Sequence, residues 1–148
     1  MDVSKDKVNL VIREIAGEND CGMNAFVHRK SLELIFIPNE SNHYLDDFAE
    51  FYEEQLSEID KNFNLYFKIE PPNSHESFDI MKGFIDQVDQ DELKNELISA
   101  LNKRKPFANF KHIIDNSDFR EKWFNYKNQE LISRVKIEFQ HEMPEYNM

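Results

Sequence analysis

Leu65-Tyr66-Phe67-Lys68-Ile69-Glu70-Pro71-Pro72 is the stretch on which the fold turns. Leu65, Phe67 and Ile69 alternate with Tyr66, Lys68 and Glu70, the period of two that a half-buried strand requires. Pro71 and Pro72 end it, since neither can donate to a β-ladder. Before this stretch helical and extended patterns are mixed. After it every pattern is helical, and Pro71 to Asn73 is the natural division between a mixed front half and a helical back half.

In the front half, Val8, Val11, Ile12 and Ile15 recur at i, i+3, i+4 and i+7, which predicts an N-terminal helix capped by Ser4 and ending near Gly17. Two short β-prone runs follow, Ala25 to Arg29 and Leu32 to Ile37, separated by Lys30 and Ser31 and stopped by Pro38 and Asn39. They predict a β-hairpin. From Asp46 to Asp60 the carboxylates, Glu50, Glu53 and Glu54 among them, meet no basic partner, while Phe48, Phe51, Tyr52, Leu56 and Ile59 keep helical spacing. That is an amphipathic helix with an anionic outer face.

In the back half, Phe78, Met81, Ile85 and Val88 share one stripe, weakened by Gly83. Asp89 and Glu92 form a capping-box pattern ahead of Leu93, Leu97, Ala100 and Leu101. Pro106 suits a first helical turn and is followed by Phe107, Phe110 and Ile114 at core spacing. Asn116 or Ser117 caps a last helix with Phe119, Trp123, Phe124, Leu131, Val135 and Phe139. The expected fold is therefore α+β: a small, mostly antiparallel three-stranded sheet with an N-terminal helix and a C-terminal helical part packed on it. One domain spans residues 1–148, with a mixed part over 1–71, helices over 72–142 and a fraying tail over 143–148.

Composition sets the outer limits. A chain of 148 residues with 13 Phe, five Tyr and one Trp can bury a core without staples. The single cysteine, Cys21, allows no intramolecular disulfide, and charged residues follow Met1 where a signal peptide needs an apolar stretch. The expected compartment is the cytoplasm. No apolar run nears the roughly 20 residues that span a bilayer, so no membrane role is expected. The formal charge of −11 disfavours nucleic acid. Its placement is uneven: residues 1–100 hold 9 Lys/Arg against 22 Asp/Glu, and residues 101–148 hold 9 against 7.

The run from Phe78 to Phe139 resembles the bacterial uncharacterised protein family numbered 0158. The resemblance rests on Phe78-Asp79-Ile80-Met81-Lys82-Gly83-Phe84-Ile85, on Ala100-Leu101, on Arg104-Lys105-Pro106-Phe107-Ala108-Asn109-Phe110-Lys111 and on Trp123-Phe124. The front half is similar more loosely, through Ile12 to Ala16, Gly22-Met23 and the hairpin ending at Pro38. Many relatives carry a Gly-Arg-Gly-like sequence where this chain reads Lys103-Arg104-Lys105. The resemblance implies a fold and a bacterial origin, and no activity comes with it.

Two surfaces are candidates for function. The acidic face with Glu50, Glu53 and Glu54 suits a protein partner of opposite charge, and a solvated helix face is the simpler explanation of the same residues. Arg104, Lys105 and Lys111 beside Phe107 and Phe110 suit a small anion, a nucleotide or single-stranded RNA, whereas capping of the preceding helix explains them structurally. The five histidines are scattered without metal-ligand spacing, and the carboxylate of Asp20 beside Cys21 works against a thiolate nucleophile. Neither a G-x-S-x-G nor a phosphate-binding glycine pattern occurs. No cofactor, metal or catalytic residue is expected, and the reading favours a non-enzymatic interaction domain over the anion binder.

Overall fold

Val8, Val11, Ile12, Ile15 and Ala16 are all buried and form the inner face of α1 (Lys5–Asp20) in the computed structural model, which describes residues 5–39 and 49–146. The helix runs past Gly17, where an end was expected. Gly17 lies on the exposed side, and a β-carbon there would meet nothing. The stop comes at Gly22, whose φ of 83° places it in the left-handed region, while the N–H groups of Cys21 and Gly22 donate to the carbonyls of Glu18 and Asn19 at 3.0 Å. The expected cap, Ser4, is outside the described residues.

β1 (Met23–His28) pairs antiparallel with β2 (Leu34–Pro38) on one side and with β3 (Tyr66–Ile69) on the other, giving the order β2-β1-β3. Val27 stands opposite Leu34 and Phe67, and Ala25 opposite Phe36 and Ile69, so the alternation read from residues 65–70 points Phe67 and Ile69 into the core beside Ala25 and Val27. Leu65 itself belongs to a 3-10 turn, Phe63–Leu65. The hairpin connection is longer than Lys30 and Ser31: it takes in residues 29–33, with Leu32 buried at a left-handed φ of 61°. His28 Nδ1 accepts the N–H groups of Lys30 and Ser31 at 3.1 Å each and fixes that turn. Buried Asn19 ties the end of α1 to the central strand β1 and the edge strand β3, its Nδ2 donating to the carbonyls of Met23 at 2.8 Å and Ile69 at 3.3 Å.

α2 (Glu53–Lys61) is shorter than the helix expected over 46–60. Ala49 to Tyr52 make turns before it, and Asp46, Asp47 and Phe48 are outside the described residues. The helical back half comprises α3 (Ser74–Ile85), α4 (Asp91–Leu101), α5 (Pro106–Asp115) and α6 (Arg120–Glu142). Contacts sort the chain into two compact units, Met1–Pro71 with Leu131–Met148, and Pro72–Glu130. The chain passes from one to the other at the two prolines and back again within α6, which supplies residues to each.

In the unit Met1–Pro71 with Leu131–Met148, Leu131, Val135 and Phe139 form the buried stripe of the last turns of α6. The ring of Phe139 meets that of Phe67 edge-on at 5.8 Å. Arg134 Nη1 donates to the Glu70 carbonyl at 2.7 Å, and Arg29 pairs with Glu142 at 2.6 Å while lying over Phe67. These contacts seat the C-terminal part of α6 on the sheet. Met143 is buried and Pro144–Tyr146 forms a 3-10 turn.

In the unit Pro72–Glu130, one cluster joins Met81, Phe84, Ile85, Leu97, Phe110, Ile114 and Trp123. The capping box belongs to α3: Asn73 Oδ1 accepts the Glu76 N–H at 2.8 Å and Glu76 Oε1 accepts the Asn73 N–H at 3.0 Å. The box expected from Asp89 and Glu92 does not form. Val88 is buried, the chain extends for two residues beyond it, and Gln90 becomes the N-cap of α4 without a side-chain bond. Gly83 is required by packing, since a β-carbon would drive into Tyr126 Oη. Pro106 opens α5 as expected, behind Lys105 at φ 57°. This left-handed position favours glycine, and Lys105 holds it without being one.

Candidate functional site

α2 carries apolar residues at helical spacing and yet buries none of its side chains. Phe51 just before it is 71% exposed and Phe63 just after it is 67% exposed, with Leu56 between them at 37%. Of the residues expected on its apolar face, Phe51 and Leu56 are exposed and Tyr52 and Ile59 are half-buried, so the face is only partly covered among the described residues. Its rim is acidic: Glu50, Glu53 and Glu54 are all exposed, and none of the three carboxylates makes an ion pair or side-chain hydrogen bond with a described residue. Glu58 is engaged, accepting from Asn62 Nδ2 at 2.8 Å and from Tyr66 Oη at 3.2 Å; burial, and then that hydrogen bond, push the Tyr66 phenol up from its ordinary value.

Between α2 and β2 lies an open cleft of about 770 Å³, lined by Ile35, Gln55, Ser57 and Lys61 together with Glu50, Glu53, Glu54 and Glu58. Gln55 Oε1, buried in its wall, has no hydrogen-bond partner among the described residues. Carboxylates and an amide oxygen accept hydrogen bonds, so this cleft presents mainly acceptors. What complements it is a group rich in donors and positive charge.

The basic segment lies at the corner between α4 and α5. Arg104 and Lys105 are exposed and make no ion pair with a described residue, and the Arg104 carbonyl accepts from Asn109 Nδ2 at 2.8 Å. Lys111 pairs with Asp115 at 2.8 Å, and Asp115 also receives Arg120 Nε at 3.3 Å. The hydrogen bond from Lys111, reinforced by Arg120, holds the Asp115 carboxyl below its usual range. Phe110 is buried, but Phe107, assigned core spacing with it, is 43% exposed in the first turn of α5. The sequence reading passed over the continuation of this surface onto α6, where the Arg120 guanidinium lies 4.7 Å from the ring of Phe124, which is 38% exposed. The signal was available: Arg120 and Phe124 stand four apart on one helix.

The remaining chemistry-bearing groups are dispersed. His28 shapes a turn, His75 Nε2 lies 3.5 Å from Asp79, and His43 is outside the described residues. Among the described residues no three His, Cys, Asp or Glu side chains stand close enough to hold a metal ion. Cys21 is exposed where α1 ends. No helix of the described residues is long and apolar enough to cross a membrane.

These features define an α+β protein whose unpaired charge and exposed rings lie on open surfaces. The chain belongs to the uncharacterised protein family UPF0158, whose model matches residues 7–143. It is similar to the UPF0158 protein PA5073 of Pseudomonas aeruginosa, with 31% identity over 64 residues that cover 43% of this chain and 42% of that relative. No solved structure matches the chain significantly. The family is one of unknown function, in agreement with the reading of the sequence that no specific activity can be assigned.

Proposed function

We propose that this chain is a non-enzymatic protein-interaction domain of the bacterial cytosol that docks a basic partner on the α2 surface. The observation that carries this reading is an amphipathic helix that buries none of its residues and is flanked by exposed Phe51 and Phe63. An exposed aromatic centre with a charged rim is the anatomy of a protein interface, in which buried rings supply affinity and rim charges supply encounter rate and selectivity. Glu50, Glu53 and Glu54 form the rim. The net charge of −11 adds a long-range field of the same sign, which draws a basic partner toward this face.

The test is affinity capture on immobilised wild-type chain beside the variant Glu50→Lys/Glu53→Lys/Glu54→Lys. Proteins held by the wild type and lost by the variant are the expected result. Recovery of the same proteins by both, or of none by either, counts against the reading.

A further inference from the structure

We infer that the basic partner of the α2 surface is a second copy of this chain, presenting the corner between α4 and α5. This rests on the reading of α2 as a docking surface and names what docks there. Sequence charge is segregated between the two units: Pro72–Glu130 holds nine Lys/Arg against eleven Asp/Glu, and the other unit nine against eighteen. Within the first of these, residues 103–111 hold four cations and no carboxylate.

The corner repeats the anatomy of the α2 surface with the sign reversed. Phe107 is exposed at its centre and Lys111 stands one turn further along α5. Asp115, shared between Lys111 and Arg120, joins this face to α6, where Arg120 lies over exposed Phe124. One carboxylate between two cations leaves the corner net positive. Lys105, which turns the chain into α5, holds a left-handed conformation that disfavours a non-glycine residue. The Lys105 side chain is exposed at this turn, beside exposed Arg104.

An acidic face with exposed rings and a basic corner with exposed rings, on different parts of one chain, form a heterologous pair. Each copy offers one face and receives on the other, so association runs head to tail, into a closed ring or an open chain. Opposed local charges at the contact supply the attraction, acting against the repulsion between two chains of net charge −11, and the exposed rings exclude water from the contact.

The test is the solution mass of the intact chain, by sedimentation or light scattering, at about 0.05 M and about 1 M salt; the Debye length shrinks between them from over 10 Å to about 3 Å. The mass should rise with concentration above the monomer value of 17.7 kDa at low salt and return toward it at high salt. Glu53→Lys/Glu54→Lys and Arg104→Glu/Lys105→Glu, each alone, should weaken association about tenfold or more, and an equimolar mixture of the two should restore it. Phe107→Ser is the second variant for the basic side and should weaken association without changing net charge. A wild-type chain that stays monomeric at low salt, or reversed variants that fail to rescue one another while keeping the wild-type circular dichroism and Tm, overturns the inference. A monomeric wild type whose capture of another protein is still lost on reversing Glu50, Glu53 and Glu54 would overturn the self-docking and leave the α2 surface as a docking site.

Discussion

Trp123→Ala should destabilise the chain by about 3–5 kcal/mol and lower Tm by roughly 10 °C or more. The indole is 8% exposed and meets two rings edge-on, Phe84 at 5.3 Å and Phe110 at 4.9 Å. Removing it leaves a cavity bordered by α3 and α5, and stiff aromatic neighbours collapse into such a space only in part. Trp123→Phe keeps a ring in the same place and should cost clearly less. Denaturant titration with circular dichroism measures both. A Trp123→Ala midpoint equal to that of the wild type would mean that the indole does not anchor this cluster.

Phe139→Ala should have an effect of similar size, about 3–5 kcal/mol. Phe139 is fully buried, its ring 5.8 Å from that of Phe67 and 6.1 Å from that of Tyr146. It holds the last turns of α6 against β3, and the ion pair of Arg29 with Glu142 is too exposed to take its place. Ile137 on the same helix is 69% exposed, and Ile137→Ala should stay within about 0.5 kcal/mol of the wild type. Comparable losses at 137 and 139 would contradict the assignment of the buried stripe.

The sheet was legible because its signal is local: residues 65–70 alternate in sequence, and a pleated strand must then separate them onto two faces. The buried stripe of α1 was legible for the same reason. Helix ends were harder, because two candidate stops, Gly17 and Gly22, compete, and tertiary packing decides which one takes the left-handed position. The two capping-box patterns posed the same problem. Asn73 and Glu76 form one, while burial of Val88 carries the chain away from the geometry that Asp89 would need.

The candidate surfaces were half legible. Glu50, Glu53 and Glu54 stood out as acids without basic neighbours. Periodicity also marked Phe51 and Leu56, but spacing says which residues share a face and not whether anything covers it. Phe63, beyond the end of α2, carried no pattern at all. Phe107 shares its spacing with buried Phe110 and lies open in the first turn of its helix. Asp115 could be seen to serve both Lys111 and Arg120 only once α5 and α6 were placed.

The most direct test of the central claim is to measure capture and thermal unfolding together on the variant Phe51→Ala/Phe63→Ala. Both rings are largely exposed, so Tm should remain close to the wild-type value, within about 0.5 kcal/mol of stability per site. If α2 and its flanks are the docking surface, proteins or further copies of the chain held by the wild type should be lost with Tm unchanged. Capture that survives the loss of both rings would contradict the account.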